Sequence, residues 1–401
     1  MIESTDIQLA PANTEEVQQC VLAAASSGEP LEVLGSGTKR FFGRPVNAPR
    51  RLTVARLNKV VDYQPEELIL VVQPGAPLEQ VQATLAERNQ ILAFDPPHWG
   101  DGATIGGTMA ANLSGPARFR MGAARDHLLG FQAVTGRGDI VRGGGRVVKN
   151  VTGYDLSKVM CGSFGTLAVM TELVVKVLPK PDMERTMVVP GQTESEALPL
   201  MIAAARSHFE VSALAYLPPE IKLPAGLQEL LSGQETGCTL VRVDGPGPSV
   251  AHRCEGLQAF SENQMVFLEG DESHAIWNDI RELRVLPLEP GFNLWRASIP
   301  PTAATEIWKE FRILGAEQGF FDWGGGLIWV LLPEARRGSR IHEVVRRAGG
   351  HARLVKRGEG TLEDELIFPP LDEVKAHLHK NLKLAFDPEG ILNPGRLYPE
   401  F

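Results

Sequence analysis

The stretch GGGRVVKNVTGYDLSKVMCGSFGTLAVMTELVVKV, from Gly143 to Val177, places glycine turns directly against an apolar strand with little charge at the join. A strand bordered in this way exposes backbone on which a large flat cofactor can rest. Two earlier glycine clusters have the same character, GSGTK from Gly35 to Lys39 and GATIGGTMAANLSG from Gly102 to Gly115. We therefore expect three segments to converge on one ligand.

The size and charge of the chain limit the number of domains and the kinds of ligand that we expect. Its 401 residues exceed one ordinary domain, which favours two domains around sizeable cores. The 40 basic and 49 acidic residues give a net charge of −9 without a long block of one sign. This balance argues against nucleic-acid binding and favours small ligands and protein partners.

The cysteines and the N-terminus point to a reducing compartment. Cys20, Cys161, Cys238 and Cys254 are far apart and form no C-x-x-C pair, so the sequence predicts no zinc or iron–sulfur site and no other metal centre. The first residues lack the basic and apolar regions of a secretory signal, and no apolar run reaches about 18 residues. We expect a cytoplasmic chain whose only contact with a membrane is peripheral, through a complex.

The periodicity of residues 1–180 predicts a first domain with mixed helices and strands. A capping pair precedes apolar residues at helical spacing. Short apolar runs, a glycine hairpin in FQAVTGRGDIVRGG and a long β-rich run then follow. The predicted elements are a helix over Asn13–Ser27, strands over 31–35 and 68–72, a helix through Leu78, Val81 and Leu85, and a strand over 166–178. Pro179 and Pro181 indicate a domain boundary.

Residues 181–370 predict a second domain in which strands and helices alternate around an antiparallel sheet. Strand-like runs include TMVVP, ALAYL, TLVRVDG, MVFLEG, NLWRASIP, FFDWGGGLIWVLLP and ARLVK. Helices are expected over about 194–207, through Leu257, and over about 302–314 and 341–347. In residues 371–401 a helix with Val374, Leu378 and Leu382 on one face runs into FDPEGILNPGRLYPE, whose turns aim the tail back at the first domain. The fold class is thus α+β.

The glycine clusters can hold a pyrophosphate. Successive backbone N–H groups at glycine turns supply donors with little bulk. Gly35, Ser36, Gly37, Thr38 and Lys39 form one candidate nest, and Thr104 to Thr108 form another, followed by a helix start through Met109 to Asn112. The alternative for each cluster is an ordinary turn. No P-loop is present and GSGTKR does not complete G-x-G-x-x-G, so a Rossmann or NTPase fold is a poor match.

Three strings carry a family resemblance. TIGGTMAANLSG from Thr104, KNVTGYDLSKVMCGSFGTLAVMTE from Lys149 and FDPEGILNPG from Phe386 resemble the signatures of the vanillyl-alcohol oxidase superfamily, which are FAD flavoproteins. KNVTGYDLSK and DWGGG near Asp322 resemble the FAD-binding subunits of bacterial glycolate oxidases. The resemblance implies a PCMH-type FAD-binding domain of two α+β subdomains, an α+β cap domain with an antiparallel sheet, and a tail that returns to the FAD domain.

The same resemblance implies site residues. The two early clusters match the family's pyrophosphate loops, the GSFGTLAV segment matches the backbone beside the flavin and adenine, and the tail asparagine lies near the flavin. The implied cofactor-binding residues are Gly35, Ser36, Gly37, Thr38, Lys39, Thr104, Ile105, Gly106, Gly107, Thr108, Asn112, Gly162, Gly165, Thr166, Leu167, Ala168, Val169 and Asn393. For Thr166 to Val169 a core strand is the compatible structural alternative.

The chain also departs from the family pattern. The first glycine loop lacks the histidine through which some relatives attach FAD, so we predict non-covalent FAD. His98 could touch the flavin or serve as a surface or capping residue. Related dehydrogenases carry histidine-rich metal motifs where this chain has FFDWGGGLIWV and RGEGTLEDELIF, so no catalytic base is identified. Arg296 is either a carboxylate clamp or a structural ion-pair partner.

Three functions follow as hypotheses from the resemblance. The first is the FAD-binding subunit of a glycolate oxidase or dehydrogenase complex, which acts on a small 2-hydroxy acid with a catalytic flavoprotein subunit and an iron–sulfur subunit as partners. The second is a stand-alone FAD-dependent D-2-hydroxyacid dehydrogenase. The third is an assembly subunit that flavin stabilises without redox chemistry. The missing histidines favour the complex.

Overall fold

The computed structural model describes residues 7–147, 153–223, 225–228, 236–334, 338–361 and 365–401. Lys149 to Thr152 of the KNVTGYDLSK string and Leu362 to Asp364 of RGEGTLEDELIF lie outside the described residues. The chain divides into two compact units. Unit 1 comprises Met1–Ser114, Gly122–Lys180 and Leu371–Phe401, and unit 2 comprises Gly115–Met121 and Pro181–Pro370.

The first 180 residues alternate short helices with strands. Helix α1 begins after Asn13, whose side chain accepts a hydrogen bond from the N–H of Glu16, and ends at Gly28 in the left-handed conformation. The strands are β1 (Ile7–Leu9), β2 (Leu31–Leu34), β3 (Arg50–Thr53), β4 (Val60–Gln64), β5 (Ile69–Val72), β6 (Gln90–Ile91), β7 (Leu128–Thr135), β8 (Ile140–Gly144), β9 (Ala168–Lys176) and β10 (Leu178–Pro179). The helices are α1 (Thr14–Ser27), α2 (Leu78–Ala86), α3 (Ile105–Ala111), α4 (Arg118–Met121), α5 (Ala124–His127) and α6 (Leu156–Met160), of which α4 belongs to unit 2.

Unit 1 contains two sheets with separate cores. The parallel three-stranded sheet β1-β3-β2 packs its apolar side chains with α1 and with Ile391 and Leu392 of the tail. The antiparallel five-stranded sheet β4-β5-β9-β7-β8 shares a second core with α2, α3 and α6. A small ladder pairs β10 with β6. The predicted glycine hairpin is present as β7 and β8, with the N–H of Gly138 bonded to the carbonyl of Thr135 at 2.9 Å.

Unit 2 is built on one antiparallel sheet of eight strands in the order β14-β11-β13-β12-β16-β17-β15-β18. Its strands are β11 (Met183–Gln192), β12 (Ala213–Leu217), β13 (Gly237–Gly245), β14 (Val266–Glu269), β15 (Phe292–Ser298), β16 (Gln318–Asp322), β17 (Leu327–Pro333) and β18 (His351–Lys356). Its further helices are α7 (Glu194–Arg206), α8 (Ala225–Gln228), α9 (Gly247–Leu257), α10 (Gly270–Arg281), α11 (Ala304–Ile313) and α12 (Gly338–Arg347). The α+β class and the antiparallel sheet are confirmed, and α10 is a helix that the sequence analysis passed over.

The tail begins with α13 (Glu373–Phe386), which lies in unit 1. The predicted apolar face of this helix is only partly buried. Val374 and Leu378 are 70% and 61% exposed, whereas Leu382 packs against the core of the five-stranded sheet. Across the described ranges, no helix has the length and apolar character needed to cross a bilayer.

Candidate functional site: a cleft lined by three glycine segments

The first glycine loop follows β2 and is shaped by its glycines. A Cβ at Gly35 would lie 2.4 Å from Oγ1 of Thr104, so the absence of a side chain lets the first loop contact the second. Gly37 has φ +83°, which only glycine adopts at little cost. The chain then turns, with the N–H of Arg40 bonded to the carbonyl of Gly37 at 3.1 Å. The loop therefore presents backbone rather than side chains to its surroundings.

Arg396 from the tail holds the carbonyl groups of this loop. Its Nη2 donates to the carbonyls of Lys39, Arg40 and Phe42 at 3.3, 3.1 and 2.7 Å, and its Nη1 donates to that of Arg44 at 2.8 Å. The residue is 8% exposed, and burial lowers its pKa to about 10. Four carbonyl oxygens facing one guanidinium keep the loop in a single conformation.

A charged triad secures the same loop to β2 and β3. The carboxylate of Glu32, 7% exposed, accepts bonds from Nε and Nη2 of Arg40 at 2.7 and 2.8 Å. Nε of Arg51 donates to the same carboxylate at 3.2 Å. Because two guanidinium nitrogens of Arg40 meet the two carboxylate oxygens of Glu32, the ion pair also fixes the orientation of the Arg40 side chain.

The second loop is the first turn of α3. Thr104 caps this helix by accepting a bond from the N–H of Gly107 at 3.2 Å. The N–H of Gly106 donates to the carbonyl of Pro74 at 2.8 Å, and a Cβ at Gly106 would lie 2.4 Å from Cβ of Pro74. Gly106 thus permits close packing within the protein, while a Cβ at Gly107 would meet only Oγ1 of Thr104, at 3.2 Å.

The expected helix start at Met109 to Asn112 is wrong. The helix begins at Ile105, and Asn112 is its C-terminal cap with φ +50°. Thr104 caps the helix, so the helix starts inside the glycine cluster. The sequence contains this N-cap residue, but the glycines that follow it are poor helix formers, so the helix start was placed too late. Oδ1 of Asn112 accepts a bond from the N–H of Arg125 at 3.2 Å, so this side chain orders the segment after α4.

The third segment turns sharply before β9. Phe164 and Gly165 both have positive φ, +54° and +69°. Lys383 of α13 anchors the turn, because its Nζ donates to the carbonyl of Thr166 at 2.7 Å, to Asp387 at 2.7 Å and to the carbonyl of Leu392 at 2.9 Å. Burial lowers the pKa of Lys383, and the Asp387 carboxylate opposes that shift.

Asn393 joins the tail to two of the segments. Its Oδ1 accepts a bond from the N–H of Val33 at 2.7 Å, and its Nδ2 donates to the carbonyls of Val33 and Phe164 at 3.1 and 2.7 Å. The residue is 3% exposed and has φ +44°. Its side chain is therefore engaged by the backbone of β2 and of the turn.

These segments enclose one cleft in unit 1. Its empty volume, open mouth included, is about 830 Å³, within the usual range of ligand sites. Twelve of the predicted residues line it: Gly35, Ser36, Gly37, Thr38, Lys39, Thr104, Gly106, Gly107, Gly165, Ala168, Val169 and Asn393.

The other six predicted residues lie outside the lining. Ile105 and Leu167 belong to the core of the five-stranded sheet, and Oγ1 of Thr108 bonds to the carbonyl of Thr104 at 3.1 Å. Oγ1 of Thr166 bonds to the carbonyl of Ser163 at 2.7 Å. Asn112 caps α3, and a Cβ on Gly162 would contact Asn112 at 3.4 Å. These residues shape the cleft from behind.

The lining also contains residues that the sequence analysis did not single out. They are Glu32, Val33, Leu34, Arg40, Val46, Val54, Pro74, Ala110, Ala111, Phe164, Met170 and Arg396. Val33 and Leu34 of β2 and Met170 of β9 could have been found by continuing the strand pattern. Arg396 gave no local signal, because its partners lie more than 350 residues earlier in the chain.

His98 lies beside α2 and the first glycine loop. Its Nε2 lies 3.0 Å from Oε1 of Gln82 in α2, its carbonyl accepts a bond from Nζ of Lys39 at 3.0 Å, and it is absent from the cleft lining. These contacts join His98 to α2 and to the first glycine loop.

Arg296 of unit 2 does not form the expected structural ion pair. Its guanidinium lies over the rings of Trp323 and Trp329, 4.8 and 5.8 Å from their centroids, and it has no ion pair with any residue that the structure describes. Within the described ranges, no three His, Cys, Asp or Glu side chains are grouped so as to hold a metal ion.

Comparison with known proteins gives the class. The family described as FAD binding domain matches residues 5–144, and the family described as FAD linked oxidases, C-terminal domain, matches residues 358–397. The fold resembles 4-ethylphenol oxidase from Gulosibacter chungangensis, with a TM-score of 0.73 and 16% identity over 98% of this chain and 89% of that one. Fold and site together define a flavoprotein with a PCMH-type FAD-binding domain, and FAD is its cofactor.

The sequence relatives give the family. The chain is 34% identical to glycolate oxidase subunit GlcE of Escherichia coli (strain K12), over 96% of each protein. It is 26% identical to glycolate oxidase subunit GlcD of Bacillus subtilis (strain 168), over 98% of this chain and 89% of that protein. The chain belongs to the FAD-linked oxidase family that contains these subunits, and it is an FAD-dependent oxidoreductase.

The residues of the cleft fit this cofactor. A pyrophosphate needs several donors close to the backbone, and Gly35 lets the first loop lie against the second, since a Cβ there would lie 2.4 Å from Oγ1 of Thr104. Lys39 and Arg396 bring positive charge to the same lining, in which Arg40 is paired with Glu32. The apolar Ala168, Val169 and Met170 offer a flat wall at the start of β9.

Proposed function

We propose that this chain is the FAD-binding subunit of a complex that oxidises glycolate to glyoxylate. The observation that carries the proposal is the 34% identity to GlcE over 96% of both proteins, together with a cleft suited to FAD whose two glycine loops lie within residues 5–144, which the FAD binding domain family matches. Near-complete coverage of both chains supports a shared role of the whole subunit rather than of one domain.

The first and second glycine loops would hold the pyrophosphate of FAD. Gly35 to Lys39 would supply backbone N–H groups, Gly107 would permit close approach to the second loop, and Lys39 would supply charge. Support comes from the four carbonyl bonds of Arg396, which turn the carbonyls of the first loop toward the tail. A loop whose carbonyls are occupied on one side leaves its N–H groups for an anion on the other.

Gly165 and the start of β9 would hold the isoalloxazine ring. Bound FAD supplies a two-electron acceptor for the hydroxy acid. The apolar Ala168, Val169 and Met170 would exclude water from the ring, and Gly165 would add no side chain beside it. Asn393 and Lys383 hold this wall in place through Phe164 and Thr166. Residues 1–180 with the tail 371–401 form the FAD-binding domain, and residues 181–370 form the cap domain.

Partner subunits are needed to accept the hydroxyl proton of the substrate and to carry the electrons onward from the flavin. The two strings that replace the family's metal motifs contain no histidine to accept the hydroxyl proton. Cys161, Cys238 and Cys254 are buried, and burial raises the pKa of the Cys161 and Cys238 thiols to about 12. We therefore assign the base to a catalytic flavoprotein subunit, the onward electron path to an iron–sulfur subunit, and any membrane attachment to the complex.

The test uses the full chain purified with and without its partner subunits. The flavin spectrum is recorded, and glycolate or D-lactate is added without oxygen. We expect bound FAD that urea releases, which shows non-covalent attachment, and bleaching by glycolate only in the complex. Absence of bound FAD would overturn the whole proposal.

The remaining outcomes separate the rival functions. Bleaching of the isolated chain by substrate favours a stand-alone dehydrogenase. Bound FAD that is never reduced, even in the complex, favours an assembly role. Gly107→Ala is the variant to compare with the parent chain in this assay. It changes the proposed pyrophosphate loop and leaves the partner subunits unchanged.

A further inference from the structure

Helix α13 buries a lysine and exposes apolar side chains. Lys383 is 7% exposed, and among the 14 residues of α13, all of which the structure describes, it is the one that is buried. Leu378 on the same helix is 61% exposed. Lysine is rarely buried without partners, because burial removes the water around its ammonium group. Specific acceptors, rather than apolar packing, must therefore hold Lys383 in the interior.

Three acceptors surround this ammonium group. Nζ of Lys383 donates to the Asp387 carboxylate at 2.7 Å, to the carbonyl of Leu392 at 2.9 Å and to the carbonyl of Thr166 at 2.7 Å. A lysine ammonium has three N–H donors, so each of them is used. Asp387 and Leu392 belong to the same tail as Lys383, whereas Thr166 lies 217 residues earlier, in the turn before β9. The bond to Thr166 therefore ties α13 to this turn.

A second side chain holds the other end of the turn. Nδ2 of Asn393 donates to the carbonyl of Phe164 at 2.7 Å, so the carbonyls before and after Gly165 are both held, by Asn393 and Lys383. Gly165 has φ +69° and, as a glycine, would rotate freely without such restraints. A trans peptide is planar, and its N–H points opposite to its carbonyl. The bond to Phe164 therefore aims the N–H of Gly165 away from the amide of Asn393.

The N–H of Gly165 differs from those on either side of it. The N–H groups of Phe164 and Thr166 donate to the carbonyls of Ala110 and Ser163, at 2.9 and 3.0 Å. Gly165 is buried and lines the cleft, and no hydrogen bond joins its N–H to any residue that the structure describes. Buried backbone N–H groups are nearly always paired. This donor is therefore available to an acceptor atom of a ligand in the cleft.

We propose that Lys383 is a positioning residue for the cofactor. Through the carbonyl of Thr166, and together with Asn393, it fixes the peptides around Gly165 so that the N–H of Gly165 donates to an acceptor atom of the isoalloxazine ring. The choice of the ring as the acceptor rests on the proposed function, and the fixed turn rests on the bonds of Lys383 and Asn393. A donor to the ring favours its more negatively charged, reduced form and so raises the reduction potential of the flavin.

The first measurement compares Lys383→Met with the parent chain, both with FAD bound. Methionine keeps an unbranched side chain but has no N–H to hold the carbonyl of Thr166. We expect a lower flavin midpoint potential and about tenfold weaker binding of FAD. Reductive titration with dithionite and a reference dye measures the potential without glycolate or partner subunits. Lys380→Met, an exposed change on the same helix, is the matched control and should keep the potential and the FAD affinity of the parent.

Two variants separate positioning from charge and from stability. Lys383→Met combined with Asp387→Asn removes one positive and one negative charge, so the net charge beside the turn stays constant. The double variant should still have the lower potential, because the bond to Thr166 is lost. Asp387→Asn alone should unfold at a lower temperature, because it removes a buried ion pair. It keeps the bond from Lys383 to Thr166, so its potential should not fall.

Two outcomes would overturn the proposal. The first is a double variant with the potential of the parent, which would assign the effect of Lys383→Met to charge alone. The second is a potential that falls in Asp387→Asn as far as in Lys383→Met, which would make Lys383 a merely structural residue. If Lys383→Met does not fold, the double variant decides, because it leaves no buried carboxylate without its lysine. Glycolate bleaching of the complex is recorded separately, so failure of the proposed function leaves these potentials readable.

Discussion

The side-chain amide of Asn393 donates a hydrogen bond to the backbone carbonyl of Phe164 at 2.7 Å, across 229 residues of sequence. The same side chain bonds to both backbone groups of Val33. One residue of the tail thus joins β2 to the turn before β9, and both of these segments line the cleft. The tail is part of the site's framework rather than an appendage.

Asn393→Ala should destabilise the chain and weaken FAD binding. The change removes three hydrogen bonds and places alanine at φ +44°, which together cost about 2–3 kcal/mol. Asn393→Gly keeps the backbone conformation and isolates the loss of the side chain. Thermal unfolding and flavin retention measure both effects, with Asn381→Ala on the exposed face of α13 as the control. Unchanged unfolding of Asn393→Ala would contradict the role assigned to this residue.

Arg396→Lys should lower FAD affinity more than it lowers stability. Lysine keeps the charge but cannot donate to four carbonyls spread over the first loop, so the loop should sample other conformations. We expect at least tenfold weaker FAD binding in a titration of the apoprotein. Arg88→Lys, an exposed change shortly after α2, should bind FAD normally. Equal affinity of the two variants would show that the loop does not depend on Arg396.

Gly106→Ala and Gly107→Ala should separate packing from ligand contact. A Cβ at Gly106 would lie 2.4 and 2.6 Å from atoms of Pro74, so this variant should lose stability even without FAD. A Cβ at Gly107 would meet only Oγ1 of Thr104 at 3.2 Å, so the apoprotein should keep its stability while FAD binding weakens. Unfolding of both apoproteins and their FAD titrations test this contrast. Normal FAD binding by Gly107→Ala would remove this residue from the pyrophosphate site.

The sequence predicted the segments of the site better than the contacts that order them. Glycine turns and apolar runs are local signals, so the loops at Gly35 and Thr104 and the strand at Ala168 were found. The bonds of Arg396 and Lys383 depend on chain folding, and no spacing in the sequence indicates them. Asn112 was placed at a helix start because the Thr104 cap lies inside the glycine cluster.

The helix α13 shows a second limit of periodicity. Val374, Leu378 and Leu382 recur at intervals of four, a pattern that predicts one buried face. Only Leu382 packs against the core, and Leu378 is 61% exposed. Leu378→Ala should therefore change the free energy of unfolding by less than about 0.5 kcal/mol, and Leu382→Ala should cost about 1–2 kcal/mol. Urea denaturation measures both, and equal losses would show that the whole face is buried in solution.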